Sequence, residues 1–240
     1  MDRRISEFAL NAEAIASAPP SVILEEVLTD PAYGHVGVVS SFGAESAVLL
    51  HLVAAVDRRT PVLFIDTGKL FGETLRYAEI LKDLLALEDL RVVKPEAPSV
   101  AARDPAGDLW REDSAACCEV RKVAPLSRAL DGFDTWVTGR KRFQSATRAK
   151  LRTFEVADGR LKVNPLASWS RLQIEDYFSE HRLPRHPLEA DGFLSIGCFT
   201  CTDRVTHGED SRAGRWRGSG KTECGIHSPA GAGTGRLPSA

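Results

Sequence analysis

Short apolar runs alternate with longer amphipathic segments through the first half of the chain. His35 to Ser40 is rich in β-branched residues, and the apolar positions of the following stretch, 46–56, recur at helical spacing. Pro61 to Ile65 and Phe71 to Leu87 repeat this order of strand and helix. The alternation predicts an α/β fold with a doubly wound, mostly parallel sheet.

Further segments extend this pattern toward the middle of the chain. Leu90 to Val93 and Thr135 to Thr138 are predicted to be the third and fourth strands and to complete the central sheet, with a helix from about Ala115 to Leu130 between them. In the helix predicted over residues 71–87, one side should face the core; its residues are Leu75, Ala78, Leu81 and Leu85.

The rest of the chain has weaker periodicity. A hairpin is predicted around Asp158-Gly159, and a helix over Arg171 to His181 begins after a Ser170 cap. From Pro184 onward, frequent Pro and Gly indicate loops. We therefore divide the chain into four parts: a helical lead-in over residues 1–30, a nucleotide-binding α/β domain over 31–204, a mobile segment over 205–227 and a flexible tail over 228–240.

Composition limits the class of protein. The chain has 240 residues, of which 43% are hydrophobic and 27% charged, as expected for one large globular domain. The net charge of −2 gives no reason to expect a nucleic acid or a membrane surface as partner. Polar residues interrupt the N-terminal apolar positions and no apolar run approaches membrane-spanning length, so we expect a cytoplasmic protein.

A polar loop follows the first predicted strand. Ser41, Phe42, Gly43, Glu45 and Ser46 lie where the strand gives way to a helix. Small residues, hydroxyl groups and a helix N-terminus at such a position are typical of phosphate sites in α/β proteins. A tight turn in which Ser41 caps the helix explains the same hexapeptide equally well.

A second polar loop, Asp66, Thr67 and Gly68, follows the second predicted strand. Because parallel strands end at the same edge of a sheet, we expect both loops to line one crevice. Two such loops favour a nucleotide site.

The fourth predicted strand is followed by Gly139 and a basic segment. Arg140, Arg142 and Arg148 are candidates for contacts with phosphate or sulfate groups, because the segment starts at the same edge of the sheet. A solvated charged surface is the alternative explanation.

Five cysteines are an odd number for a disulfide framework in a chain without an export signal. Four of them form two close pairs, Cys117 with Cys118 and Cys198 with Cys201, which is the ligand number of a Cys₄ zinc or iron–sulfur site. Adjacent side chains on a helix diverge by about 100°, which suits a larger iron–sulfur cluster better than one zinc ion. Four unrelated buried thiols remain the alternative, and Lys122 is either a neighbour of this site or an ordinary surface lysine.

Several motifs, taken together and in their order, resemble those of the assimilatory adenylyl-sulfate reductases of the phosphoadenylyl-sulfate reductase family. The resemblance covers roughly residues 35–227. The motifs are SFGAES, IDTG, TGRKRFQS with Thr147-Arg148, KVNPLASW, the two cysteine pairs, GEDSRAGRW and ECGIH.

The resemblance implies an adenine-nucleotide α-hydrolase-like fold and a reductase. By similarity, Cys117, Cys118, Cys198 and Cys201 hold a [4Fe–4S] cluster. Cys224 is then the nucleophile that attacks the sulfur of adenosine 5′-phosphosulfate, so that AMP leaves and an S-sulfocysteine remains. Thioredoxin reduces this adduct and releases sulfite.

The chemistry of the remaining residues agrees with that mechanism. A thiolate needs cationic neighbours, and Arg212 and Arg215, spaced to share a helical face, and His227 are candidates to supply them. Each has a structural alternative: Arg212 could pair with Glu209 or Asp210, and His227 could bond only to the tail.

Three other functions fit parts of the sequence. A reductase for the 3′-phosphorylated nucleotide fits most motifs, an adenylating pyrophosphatase fits SFGAES but not ECGIH, and a zinc-stabilised nucleotide sensor would use the same pocket without catalysis. A homo-oligomer is compatible with the sequence, which does not indicate the oligomeric state.

Overall fold

The sheet has six strands in the order β3-β2-β1-β4-β6-β5. The computed structural model describes residues 14–206, 208–219 and 221–227. All neighbouring strands pair in parallel except β5 and β6, which are antiparallel. The strands are β1 (Val36–Ser40), β2 (Val62–Ile65), β3 (Leu90–Val93), β4 (Thr135–Thr138), β5 (Phe154–Ala157) and β6 (Arg160–Val163).

The helices connect these strands and cover the sheet. They are α1 (Pro20–Thr29), α2 (Ser46–Val56), α3 (Gly72–Leu84), α4 (Ala97–Arg103), α5 (Leu109–Glu112), α6 (Ser114–Cys118), α7 (Ala124–Ala129) and α8 (Arg171–Glu180). A π-helical turn, Glu119–Val123, joins α6 to α7. None of the described helices combines the length and the apolar character that a membrane crossing requires.

Two cores lie on opposite faces of the sheet, as the side chains of β2 show. Val62 and Phe64 belong to the larger core, whereas Leu63 and Ile65 belong to the smaller one. Side chains alternate between the faces of a strand, and burial on both faces explains why the central strands are continuously apolar. Residues of α1, α2, α3 and α8 contribute to the larger core, and Leu126 of α7 contributes to the smaller one.

The direction of winding changes at β1. The chain moves outward from β1 through β2 to β3, and then returns to place β4 on the other side of β1. In open α/β sheets, ligands bind in the crevice that forms at the carboxyl ends of the strands at such a switch point. Here that crevice lies between the loops that follow β1 and β4.

The predicted fold class and the predicted strands are confirmed, but the sheet is larger than expected. The hairpin of β5 and β6 joins the sheet, because β6 pairs in parallel with β4. The predicted helix from Ala115 to Leu130 is divided by the π-helical turn, and α4 and α5 were not predicted. The predicted elements within 1–13 and the tail 228–240 lie outside the described residues.

One predicted core position is wrong. Leu75 is 40% exposed, and the neighbouring Thr74 is buried in its place. Thr74 is accommodated there because its hydroxyl group lies 3.0 Å from Nε2 of His186, which is also buried.

Helix α3 offers a matched test of the core. Leu81 is fully buried, whereas Leu84 in the same helix is 58% exposed. We expect Leu81→Ala to lower the free energy of unfolding by about 2–5 kcal/mol, because it leaves a cavity. Leu84→Ala should change it by less than about 0.5 kcal/mol. Urea denaturation measures both, and equal losses would contradict this placement of α3.

Candidate active site

A cavity of about 200 Å³ opens at the carboxyl edge of the sheet, at the switch point. The loops that follow β1, β2 and β4 form one side. Residues 194–197, 211–216 and 223–227 form the other, so the C-terminal part of the chain closes the cavity.

The loop after β1 faces the cavity with its small and polar residues. Ser41, Gly43, Glu45 and Ser46 line it. Phe42 does not: its φ of 48° turns the side chain into the larger core, where it packs against Phe64 with ring centroids 4.7 Å apart. A positive φ is unfavourable for a bulky residue, and burial of the ring offsets that cost. The structure therefore places Phe42 in the core and not among the residues that face a ligand.

The loop after β2 contributes one of its three predicted residues. Thr67 lines the cavity, whereas Asp66 and Gly68 do not. Asp66 accepts a hydrogen bond of 3.0 Å from the backbone N–H of Gly68 and lies 3.7 Å from the ammonium group of Lys94. These two residues shape the turn.

Two of the three predicted arginines of the basic segment line the cavity, Arg140 and Arg148. Arg142 does not; its Nε donates a hydrogen bond of 2.8 Å to the carbonyl oxygen of Leu151. Gly139, also predicted, lines the cavity. Arg140 pairs with Glu155, and its Nε lies 3.2 Å from the side-chain oxygen of Asn164.

A chain of polar contacts crosses the cavity wall. Glu45 accepts hydrogen bonds from Nζ of Lys141 at 2.8 Å and from Nε2 of Gln144 at 2.7 Å. Gln144 Oε1 accepts one from Nη1 of Arg148 at 2.5 Å. Arg148 Nε and Nη2 then donate to the two carboxylate oxygens of Glu223 at 2.6 and 2.8 Å. The first loop is thus connected to the residue that precedes Cys224.

The cations in this series of polar contacts shift the pKa values of its two carboxyl groups. Burial alone would raise the pKa of Glu223, but the hydrogen bonds and charge of Arg148, together with Arg212, lower it below its usual value. Burial also opposes the charge of Glu45, and Lys141 outweighs this effect and lowers that pKa. Both carboxylates are therefore ionised at neutral pH.

Cys224 lines the cavity at a turn that needs glycine. Gly225 has a φ of 89°, and a Cβ atom there would lie 3.3 Å from Val123. After the turn, Ile226 packs against the smaller core and the ring of His227 stacks on Trp136 with centroids 5.9 Å apart.

The surroundings of His227 disfavour a positive charge on its ring. Burial, together with the charges of Arg140, Lys162, Arg148 and Arg212, lowers its pKa well below the usual value. Its Nδ1 atom is inaccessible to solvent and has no hydrogen-bond partner within the described part of the chain. The lowered pKa favours a neutral imidazole at neutral pH, and the role of His227 beside Cys224 stays a prediction.

Three other cations line the cavity, and two of them lack a carboxylate partner. Arg212 Nη2 lies 3.3 Å from Glu223, and burial and Arg148 lower the pKa of Arg212 to about 10. Arg215 and Lys122 form no ion pair with any residue that the structure describes. Both are therefore available to an anionic ligand.

The arginines lie in a series of turns and not on the helical face that their spacing suggested. Arg215 lies over the ring of Trp216, 4.5 Å from its centroid, and fits closely against Gly197, where a Cβ atom would lie 2.3 Å from the guanidinium group. Only glycine leaves room for this position of Arg215.

Cys198 of the second cysteine pair lies near Cys117 of the first pair. Cys117 and Cys118 are buried at the end of α6, and Cys198 precedes a 3₁₀ turn, Phe199–Cys201, that ends at Cys201. Burial, with Cys118 and Cys198 as neighbours, raises the pKa of Cys117 to about 11. Cys198 Sγ lies 3.2 Å from the hydroxyl oxygen of Thr67, whose side chain therefore reaches both the cysteines and the cavity.

Lys122 connects this region to Cys224. Burial opposes its charge, but the thiol groups of Cys198, Cys224 and Cys118 outweigh burial and raise its pKa. Within the described ranges, no group of three or more His, Cys, Asp or Glu side chains is arranged to hold a single metal ion.

Sequence reasoning missed several residues of the cavity. Most of the predicted residues do line it: Ser41, Gly43, Glu45, Ser46, Thr67, Lys122, Gly139, Arg140, Arg148, Arg212, Arg215, Cys224 and His227. Those not predicted as site residues include Lys141, Gln144, Trp216 and Glu223. Glu223 carries the one available signal, because it is the acidic residue next to the candidate nucleophile.

The mostly parallel sheet and its connections define a fold of the adenine-nucleotide α-hydrolase type. Residues 35–204 match the phosphoadenosine phosphosulfate reductase domain family. The chain belongs to this family, and the predicted resemblance is confirmed.

Curated relatives extend the match. The chain is 50% identical over 208 residues to the adenosine 5′-phosphosulfate reductase of Mesorhizobium japonicum, covering 87% of this chain and 82% of that protein. It is 52% identical over 196 residues to the protein of the same name from a Chelativorans species, covering 82% and 80%.

Solved structures agree on the fold. A phosphoadenylyl-sulfate reductase from Candida auris, in a phosphate complex, superposes with a TM-score of 0.69 at 24% identity, covering 85% of this chain and 98% of that one. Yeast FAD synthetase gives a TM-score of 0.53 at 15% identity, covering 86% and 70%. At these identities the comparison supports the architecture alone.

The neutral state of His227 predicts a pH dependence of stability. Its pKa is lower in the folded chain than the usual value of about 6.5 in the unfolded chain, so only the unfolded chain takes up a proton below that pH. Stability is therefore lost as the pH falls. Between pH 7.5 and pH 5.5, we expect the free energy of unfolding of the wild type to fall by up to about 1.4 kcal/mol more than that of His227→Gln, measured by urea denaturation. The same loss in both proteins would contradict a neutral, buried imidazole.

Proposed function

We propose that this protein reduces adenosine 5′-phosphosulfate to sulfite and AMP, with Cys224 as the nucleophile. The observation that carries the proposal is the position of Cys224, which lines the cavity at the switch point of the sheet together with Arg215 and Lys122, two cations without carboxylate partners among the described residues. A thiol, a nucleotide crevice and available positive charge are what transfer of a sulfuryl group to sulfur requires.

The substrate would bind across the carboxyl ends of the strands. The first loop offers hydroxyl groups and backbone N–H groups at the N-terminus of α2, through Ser41, Gly43 and Ser46, as phosphate sites in α/β proteins do. The phosphosulfate group carries the negative charge, and Arg215, Lys122 and Arg212 face the space in which it would lie.

In the first half-reaction the thiolate of Cys224 attacks the sulfur atom of the phosphosulfate. A bond forms between the two sulfur atoms, and the bond from sulfur to the bridging oxygen breaks. AMP leaves with that electron pair, and an S-sulfocysteine remains on the protein. Arg215 and Lys122 favour this step, because positive charge stabilises both the thiolate and the phosphate oxygen on which charge accumulates.

In the second half-reaction thioredoxin supplies two electrons. One of its thiolates attacks Sγ of Cys224, sulfite leaves with the electron pair of the bond between the sulfur atoms, and a mixed disulfide forms. The second thiol of thioredoxin then displaces Cys224 as a thiolate. Thioredoxin ends as a disulfide, so that the electrons and atoms balance.

We also propose that Cys117, Cys118, Cys198 and Cys201 hold a [4Fe–4S] cluster. The donor set fits, because all four thiols are free of disulfides, Cys117, Cys118 and Cys198 are buried, and Cys201 is partly buried. When bound, the cluster would hold the four cysteines in place beside the cavity and act electrostatically on cations there such as Lys122. It need not carry electrons, because the dithiol of thioredoxin supplies both.

The matched family is named for the 3′-phosphorylated nucleotide, and that substrate is the second candidate. The curated relatives described above are named for the nucleotide without the 3′-phosphate. Assays with both nucleotides separate the two candidates.

Replacement of the nucleophile tests the reaction. With thioredoxin and adenosine 5′-phosphosulfate, we expect the wild type to release sulfite and Cys224→Ser to release at least about a thousandfold less. Iron and acid-labile sulfide, measured after anaerobic purification, should be present at about four of each per chain in both proteins.

Three outcomes would contradict these proposals. Sulfite release by Cys224→Ser would exclude this residue as the nucleophile, and no sulfite from either nucleotide would exclude the reductase. Zinc in place of iron and sulfide would exclude the cluster without affecting the assignment of Cys224.

We further propose that residues 205–227 move as a unit, so that Cys224 faces the nucleotide in one state and thioredoxin in the other. Ser211, Arg212 and Glu223 of this segment line the cavity, so a bound nucleotide would add contacts to the segment.

Limited proteolysis tests this motion. We expect AMP to slow tryptic cleavage after Arg217 and Lys221 by about fivefold, because cleavage requires local opening of the segment. The same cleavage rates with and without AMP would contradict the motion, and cleavage after the exposed Arg103 of α4 is the internal control.

A further inference from the structure

Cys224 is preceded by a carboxylate that is bound to the opposite wall of the cavity. The two oxygens of Glu223 accept hydrogen bonds of 2.6 and 2.8 Å from Nε and Nη2 of Arg148, which lies 75 residues earlier in the chain. The side chains are only 22% and 10% exposed. A bidentate pair with this burial is held more firmly than an exposed ion pair, because water and salt screen it less.

Each side-chain nitrogen atom of Arg148 donates a hydrogen bond to a protein group. Its Nε and Nη2 donate to Glu223, and its Nη1 donates to Gln144 at 2.5 Å. Gln144 is itself held by Glu45, and Glu45 by Lys141. The guanidinium group is therefore held toward Glu223, because three of its five N–H groups donate to protein side chains where Arg148 lines the cavity.

Arg212 completes the arrangement from within the C-terminal segment. Its Nη2 donates to the carbonyl oxygen of Thr222 at 2.9 Å and lies 3.3 Å from Glu223. The backbone immediately before Cys224 is thereby fixed at two successive residues. Beyond Cys224, Ile226 and His227 pack on the smaller core and on Trp136, so the thiol lies between a polar contact and an apolar one.

We infer that Glu223 is a positioning residue, because its pairing with Arg148 and Arg212 holds Cys224 in the cavity. In this scheme Arg148 positions Cys224 through Glu223 and does not bind the nucleotide. The inference rests on the proposed role of Cys224 as the nucleophile. Attack of a thiolate requires the reacting atoms to be about 3–3.5 Å apart and aligned, and a displacement of about 1 Å lowers rates by about a hundredfold.

Glu223→Gln tests whether the charge of Glu223 positions Cys224, because the substitution keeps the size of the side chain and removes its charge. We expect kcat for sulfite formation to fall by about thirtyfold to a hundredfold, because the thiol is less often aligned. The Kd of AMP, measured by calorimetry, should stay within about threefold, since Glu223 and Arg148 do not bind the nucleotide in this scheme. Alkylation of Cys224 by iodoacetamide in the nucleotide-free protein, followed by peptide mass spectrometry, should become about tenfold faster.

Three further single variants and one double variant accompany it. Glu209→Gln is the matched control: it removes a carboxylate that pairs with Arg217 inside the same segment, at 3.0 Å, and it should behave as the wild type. Glu223→Asp keeps the charge and should recover part of kcat. Arg148→Gln should reproduce the effects of Glu223→Gln, including the unchanged affinity for AMP, and the double variant should be no worse than either single one.

The outcomes separate this inference from the proposed function. A Kd for AMP that rises as much as kcat falls, in either Glu223→Gln or Arg148→Gln, would overturn it, because these residues would then bind the nucleotide. An unchanged alkylation rate would also overturn it. If the wild type releases no sulfite, the proposed function fails. The alkylation comparison needs no nucleotide, so it still decides whether Glu223 and Arg148 hold Cys224 in place.

Discussion

The parallel order of β1, β2 and β4 is the constraint on which the site depends. Because these strands run in the same direction, the loops after them all emerge at one edge of the sheet, and the change in winding direction at β1 opens a crevice there. Residues far apart in sequence, among them Ser41, Thr67, Arg140 and Cys224, meet in this crevice. The C-terminal segment adds Cys224, the proposed nucleophile, to a crevice that the sheet forms.

The balance of charge around the cavity explains why it suits a small polyanion. Lys141 is paired with Glu45, Arg140 with Glu155, and Arg148 with Glu223. Pairing keeps these groups charged in a partly buried place, where an isolated charge would be costly. Arg215 and Lys122 lack such partners within the described residues, and they leave an excess of positive charge that an anionic substrate can neutralise.

Sequence patterns predicted the elements of the fold because burial dictates residue type along a strand. They failed where geometry depends on distant residues: the π-helical turn is a shift in backbone hydrogen bonding that no residue type marks, and Thr74 replaces Leu75 in the core through its contact with His186. In the site, residue type gave the basic segment but not its orientation. Arg142 points away because it bonds to Leu151, and Phe42 turns inward to reach Phe64.

Holding Cys224 through an ion pair also satisfies two requirements that conflict when the contact is apolar. In the proposed reaction, the thiol has to be held firmly for attack and has to leave the cavity for reduction. The Glu223–Arg148 pair is strong while it is largely shielded from water, but both groups regain hydration when the segment moves out, so separation costs less than the pair distance suggests. A large apolar side chain at position 223 would be exposed to water in the open state, with a penalty that grows with its area. The carboxylate of Glu223 therefore suits a segment that has to be held in the cavity in one state and released in the other.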